Sequence, residues 1–324
     1  VTEEIDTPSA AYELSSDDYY RHLVARNRGL ISASLQRRIR ASRLLIAGCG
    51  SIGGATVQPL ARMGYTQFEL ADVGAYELNN LNRQHATVGD LGKNKAVVMA
   101  EHVKAINPTA IVSAHVDGIT CENVRDLVSG VDVIVDGIDV TTSSGLRAKV
   151  LLHQHACRLR IPLITAWDMA GMLTAQYFDY RSITQPFDGE LVPGDEDRLG
   201  TWPTIFRIAP RRWIPAEMFD ELSRGLRQSD YNVPQLTEAA AQFGALAVHM
   251  TNLVVDGQHP RRAVPVDVHR VTVPLARRSQ ISLRRPMSAY RFLRTLPIAQ
   301  ALSGFAPKSV YQVAHHLTRK GELS

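Results

Sequence analysis

Short apolar runs separated by stretches of helical spacing recur through the first 180 residues of the chain. Residues 43–47 (RLLIA), 68–72 (FELAD), 111–116, 131–135 (VDVIV) and 162–166 each have the length and apolar character of a strand buried on both faces. Between them, residues 55–63, 95–106, 121–128 and 148–159 carry helical periodicity, and Asn107-Pro108 stops the second of these helices. The alternation predicts an α/β, Rossmann-like, mostly parallel sheet flanked by helices, with a C-terminal strand/helix extension. Upstream, residues 1–19 read as a flexible acidic lead-in, followed by helices at about 17–27 and 36–40. Past Asp179 the pattern weakens. Residues 186–203, rich in Pro, Gly and acids, predict a mobile loop. Residues 236–255 predict a long apolar helix of the core or of a dimer interface, 264–283 one or two strands, and the last forty residues a basic helix. The expected division is 1–19 lead-in, 20–284 folded domain (nucleotide-binding core about 41–180) and 285–324 basic tail.

Composition adds limits. With 324 residues, 45% hydrophobic and 21% charged, the chain has an ordinary globular make-up. No apolar run approaches the roughly 18 residues of a membrane span, and the acidic, polar start lacks the order of a secretory signal. Cys49, Cys121 and Cys157 are odd in number and widely spaced, so neither a disulfide framework nor a four-cysteine zinc site is expected, and the default is a reducing cytoplasm. Of the three, Cys49 packs within its loop, Cys157 reads as a small apolar residue, and Cys121, at a predicted helix start, is the only one whose position could lower a thiol pKa, although a structural role is favoured for it too. The net charge of +4 hides a division: residues 256–324 carry twelve Lys+Arg against three acids, leaving 24 against 29 in the rest. Such a tail attracts an acidic partner, or simply solvates the protein.

The candidate chemistry starts at Gly48-Cys49-Gly50-Ser51-Ile52-Gly53, a GxGxxG loop between a predicted strand and a predicted helix. Glycines there permit a tight turn and close backbone approach, and the helix N-terminus favours phosphate. Asp72 ends the next strand, where a carboxylate binds ribose hydroxyls. Alone, these features fit an NAD(P)-dependent oxidoreductase equally well. The following segments, Asn79-Asn80-Leu81-Asn82-Arg83-Gln84 and Gly92-Lys93-Asn94-Lys95, supply cations flanked by amides, which hydride transfer does not need and a triphosphate does. Asp136 and Asp139, at the end of a later strand, are a pair suited to magnesium between phosphates. His153 and His155, two apart on a helix, diverge and make no joint metal site; His315 and His316 also invite a metal reading. Trp167, Asp168 and Met169 lie near the expected substrate, as pocket wall or as core.

The ordered segments IAGCGSIGG, ELAD, NNLNRQ, GKNKA, INP and VIVDGID closely resemble the ThiF/MoeB superfamily, the adenylating domains related to ubiquitin-activating enzymes. The resemblance covers about residues 20–180 and extends more weakly to about 283. It implies ATP-dependent adenylation of a substrate carboxylate with release of pyrophosphate, the carboxylate belonging to a peptide, a small carrier protein or a biosynthetic acid. Gly48, Gly50, Ser51 and Gly53 match the nucleotide loop, with Ser51 where a third glycine is common; Asp72 matches the ribose ligand. Asn80, Arg83 and Gln84 match the triphosphate segment, Lys95 the phosphate lysine and Asp139 the magnesium-associated aspartate, with Asp136 assisting. Arg26, with Arg28 in reserve, matches an N-terminal arginine that enters a partner's site, which implies a homodimer. Gly74 replaces a usual acid, and residues 140–144 replace a usual asparagine and arginine, with Arg147 a substitute. Residues 182–201 contain no cysteine and paired CxxC motifs are absent, so neither an enzyme-thioester step nor zinc is expected. A catalytically silent ATP-binding partner subunit is the non-enzyme alternative.

Overall fold

The computed structural model describes residues 8–302 apart from 193 and 227–230. Helices α1 (Pro8–Glu13), α2 (Ser16–Leu23) and α3 (Ala33–Ala41) precede the sheet. The part of the expected acidic lead-in that is described is therefore helical from residue 8; residues 1–7 lie outside the described residues, as do His315, His316 and the rest of the segment past 302. The body then runs β1 (Arg43–Ala47), α4 (Ser51–Met63), β2 (Gln67–Ala71), α5 (Lys95–Ile106), β3 (Ile111–His115), α6 (Val124–Val128), β4 (Val133–Asp136), α7 (Ser143–Leu159), β5 (Leu163–Met169) and β6 (Met172–Phe178). Next come α8 (Asp195–Leu199), α9 (Thr201–Ile208), α10 (Ala216–Gly225), α11 (Thr237–Val255), β7 (Ala263–Asp267), α12 (Val268–Val271) and α13 (Leu275–Leu302).

The seven strands form one sheet in the order β3-β2-β1-β4-β5-β6-β7. β1 to β5 are parallel, whereas β6 and β7 pair antiparallel at one edge. The fold is thus α/β and mostly parallel, as the alternation predicts. Along β1 the pleat sends Leu44 and Ile46 into a core shared with α4, α5 and α11, and Leu45 and Ala47 into a second core beneath α6 and α7. α11 lies against α4 so closely that a Cβ on Gly244 would stand 2.6 Å from the Ala55 carbonyl oxygen, so the long apolar helix is core. A third cluster joins α9, α10 and α13 through Phe206, Phe219, Leu222 and Phe292.

Three expectations fail. β6 has no counterpart in the predicted elements; it returns from β5 through Ala170 (φ 54°) and Gly171 (φ 80°), the left-handed pair of a tight hairpin. The predicted mobile loop at 186–203 is built around fully buried Asp195, whose carboxylate takes the Val192 N–H, Arg198 and, at 2.6 Å, Arg207. The second strand expected before residue 283 is helix: Ile281, Arg285, Ser288, Phe292 and Thr295 recur on the inner face of α13 at helical spacing, and Arg285 donates to the Ile214 and Arg211 carbonyls at 2.8 Å. α13 runs through position 285, where the basic tail was expected to begin. No helix among the described residues is long and apolar enough to cross a membrane.

Candidate functional site

In the sheet order, β2 and β3 lie to one side of β1 while β4 and β5 lie to the other, so the loops leaving β1 and β4 part at a crevice. β1 is followed by Gly48, whose φ of 83° turns the chain, and whose N–H donates to the Ala71 carbonyl at 2.7 Å. A Cβ there would fall 2.6 Å from the Gly137 backbone. Gly53, one turn into α4, is equally constrained, since its Cβ would lie 1.8 Å from the Gly48 carbonyl oxygen. These glycines bring the α4 N-terminus, the β1 end and the β4 end into backbone contact. Gly50, by contrast, faces open space bounded by the Gln84 side chain at 3.8 Å. The hydroxyl of Ser51 and the Gln84 carbonyl oxygen are buried without hydrogen-bond partners, as befits groups awaiting a ligand.

Around this loop a cavity of about 1250 Å³ gathers Gly48, Gly50, Ser51, Asp72, Asn80, Arg83, Gln84, Lys95 and Asp139. Asp72 accepts the Cys49 and Gly74 N–H groups, each at 2.6 Å. Burial raises its carboxyl above the usual range against those two hydrogen bonds. Lys95 opens α5, capped by Asn94; a Cβ on Gly74 would stand 3.1 Å from an Asp72 oxygen and 3.6 Å from the Lys95 ammonium. Glycine at 74 therefore keeps a second acid out of the Asp72–Lys95 gap. Arg83 is held from several sides: Nε donates to the Gln235 side chain at 2.6 Å, and Nη1 to the Asn79 carbonyl at 2.9 Å and the Asn82 side chain at 2.7 Å. Asp139 keeps one oxygen in a turn, accepting the Thr141 N–H at 2.9 Å and its hydroxyl at 2.8 Å.

Not every expected residue converges. Gly53 packs the loop from behind rather than lining the cavity. Asp136 does not line it either: its carboxylate is wholly buried, one oxygen accepting the Ile138 N–H at 3.1 Å and the other shared by Lys149 and, at 3.0 Å, His153. Burial would raise this carboxyl, but the Lys149 ammonium and His153 outweigh it and hold it at about 2. Asp136 anchors the 137–139 turn from below, leaving Asp139 alone on the cavity side. Arg26 is exposed and stands clear of its own chain's cavity. Arg147 pairs with Asp197 at 2.9 Å and does not line the cavity. His153 is buried between Asp136 and Tyr180 while His155 bonds Arg158, so the two do diverge. Cys121 precedes α6, and its contact with the Glu122 carboxylate raises its thiol pKa rather than lowering it. Cys49 is fully buried.

Of two further features, Gln235 has no signal in the sequence and Asp168 has only its place at a strand end. Gln235 reaches Arg83 from 152 positions away. Asp168, at the end of β5, lines the cavity with both oxygens buried and outside full hydrogen-bond geometry. Burial pushes its carboxyl up to about 7 despite nearby Arg83, and Glu238 adds to the rise.

Residues 24–181 match the ThiF family. They are a ThiF-family domain. The chain is 35% identical over 136 residues to the Haemophilus influenzae tRNA threonylcarbamoyladenosine dehydratase, covering 41% of this chain and 50% of that one. It is 27% identical over 149 residues to the Thermus thermophilus sulfur carrier protein adenylyltransferase, covering 46% of this chain and 52% of the relative. It thus spans about half the length of these curated relatives. The crystal structure of the Escherichia coli tRNA N6-threonylcarbamoyladenosine dehydratase shares the fold, with a TM-score of 0.52 at 21% identity over 74% of this chain and 96% of the other. The ThiF match holds Gly48 to Asp139 whole but ends at residue 181, so α8 to α13 and Gln235 lie beyond it.

Proposed function

We propose that the protein is an adenylyltransferase that uses ATP to activate a substrate carboxylate as its acyl-adenylate. The observation that carries this reading is the convergence of Asp72, Arg83, Lys95 and Asp139 on one cavity beside the glycine loop. Asp72 suits the ribose, the α4 N-terminus with Ser51 and Gln84 suits phosphate oxygens, and Arg83 and Lys95 suit the departing charge. A nicotinamide enzyme would leave Arg83 and Lys95 without a task. A carboxylate oxygen attacks the α-phosphorus, the bond to the bridging oxygen of the β-phosphate breaks, and pyrophosphate leaves with its electron pair. No general base is needed, because the nucleophile is already an anion. The contribution of the chain is positioning and charge neutralisation. Magnesium, when bound, would neutralise phosphate charge. Asp139 is the residue to hold it, and one carboxylate with phosphate oxygens and water is a sufficient set for this ion.

Arg26, exposed and clear of its own cavity, fits a homodimer in which it serves the second copy's site. Three unpaired cysteines fit a reducing, cytoplasmic setting. With no cysteine in residues 182–201, the adenylate passes to an external nucleophile rather than to an enzyme thiol. Carboxylate-dependent exchange of labelled pyrophosphate into ATP tests the reading: it is expected in the wild type and reduced at least about 100-fold in Arg83→Ala and Asp139→Ala. Undiminished exchange in both variants overturns the residue assignment.

A further inference from the structure

The loops after β1, β2 and β4 make the polar side of the cavity, and its other side is apolar. Every lining residue from 202 to 222 is apolar, among them Trp202, Phe206, Met218 and Leu222, and β5 adds Trp167 and Met169 on the face that meets α9 and α10. The pleat turns Asp168, between those two, to the α11 face, where the Leu236 backbone N–H meets it, so it puts no charge on this wall. At about 1250 Å³ the whole cavity exceeds the roughly 300–1,000 Å³ typical of a single small ligand, which leaves room for a second molecule beside a nucleotide. Most of the apolar wall belongs to this chain's own extension, since α9 and α10 lie outside the ThiF match.

Two seams fix where this wall meets the nucleotide side. At the first, Thr201 at the start of α9 shares a hydrogen bond of 3.0 Å with the Ser143 hydroxyl at the start of α7, and Ile138 and Val140, on either side of Asp139, pack on the same core as Trp167 and Trp202. At the second, Val233 packs against the apolar cluster, and two positions on Gln235 holds Arg83. A molecule seated on the wall therefore reaches the nucleotide side beside Arg83 and Asp139. The wall itself has few hydrogen bonds to give. The Trp167 indole N–H already donates to Gln176 at 2.6 Å, and α9 and α10 use their interior backbone groups in their own helical ladders. An extended peptide laid along it would bury N–H and C=O groups without partners, whereas a hydrocarbon has none to satisfy.

We infer that the apolar wall seats the body of the substrate, and that this substrate is a free carboxylic acid whose remainder is hydrocarbon, aliphatic or aromatic. The acid lies along Trp167, Phe206 and Met218, and its carboxylate, the one polar end, leaves the wall beside Arg83 and Asp139 to face the α-phosphate. The inference rests on the adenylation reading and names its substrate class. Of the carboxylates that reading admits, it selects the free acid over the C-terminus of a peptide or carrier protein.

Pyrophosphate exchange with straight-chain acids from acetate to octanoate tests it, with ATP binding measured separately by calorimetry. Exchange efficiency is expected to rise about fourfold per added methylene until the wall is covered, the increment that burial of one CH2 group supplies. Hexanoate should exceed adipate, the same chain with a second carboxylate, by at least about 100-fold, and trileucine, equally apolar but carrying amides, should drive little exchange. Met218→Phe, which narrows the space before the wall, should lower use of octanoate more than of butanoate while leaving the ATP Kd unchanged. Trp202→Ala, at a half-buried position, should flatten the rise with chain length and serves as a second probe. A flat series, equal use of hexanoate and adipate, no exchange with any of the acids, exchange driven only by trileucine, or a chain-length profile that neither variant alters overturns the inference while ATP still binds. A wild type that does not bind ATP takes down the adenylation reading as well.

Discussion

The guanidinium of Arg83 is gripped by the side-chain carbonyl of Gln235 at 2.6 Å, so a cation from the ThiF domain is aimed by a residue that lies beyond it. Arg83→Lys should lower exchange about 100-fold, because an ammonium cannot reproduce the forked geometry. Gln235→Ala should cost less, about tenfold, since the charge remains and only its placement is lost. In an Arg83→Ala background the Gln235 change should then cost nothing more. Additive losses in the double variant would show that Gln235 acts independently of Arg83.

Gly53 packs rather than binds. Its Cβ would overlap the Gly48 carbonyl, and Gly137 presses on its backbone from the other side. Gly53→Ala should destabilise the fold by roughly 1–3 kcal/mol, as overpacking does elsewhere. Gly50→Ala, with open space before it, should leave the thermal midpoint nearly unchanged and alter ATP affinity instead. Equal melting losses for the two variants would contradict this division of labour.

Lys149 and Asp136 form a buried ion pair under the 137–139 turn. Lys149→Met leaves the Asp136 carboxylate buried with only His153 and the Ile138 N–H, and should cost roughly 3–5 kcal/mol at neutral pH. The depressed Asp136 carboxyl, held at about 2, stabilises the wild type above its unfolded value near 4 and loses that contribution as pH falls toward 2. In the variant the acid can be neutralised at moderately low pH, so the difference in melting temperature should be smaller at pH 4.5 than at pH 8. A pH-independent difference would argue against the pairing.

Asp168 works in the opposite direction. Its folded value of about 7 lies above the unfolded one, so its stabilising contribution is complete below about pH 4 and is lost as pH rises through 7. Asp168→Asn should therefore raise the melting temperature of the ligand-free protein at pH 8 and leave it little changed at pH 4. A stability gain that is the same at both values would sink this assignment.

Sequence alone determined the frame. The apolar runs set β1 to β5, the helices between them set a parallel sheet, and GxGxxG, Asp72, Arg83, Lys95 and Asp139 were legible because local backbone chemistry fixes each at a strand end, a capped helix or a turn. Of the twelve residues assigned to the nucleotide, metal and catalytic roles, nine line one cavity, and Arg26, Gly53 and Asp136 do not. Tertiary structure decided the rest. Asp136 and Asp139 look equivalent three positions apart, but only packing shows that Lys149 and His153 claim the first from below. The segment 186–203 looks like a loop until Asp195 finds Arg198 and Arg207. Residues 279–283 alternate like a strand, yet the helical face that meets α10 wins. Gln235 and Asp168 carry no motif, because their importance comes from burial and from partners distant in sequence. Local patterns specify elements and turns, whereas the identity of a buried group's partner depends on which chain segments the fold brings together.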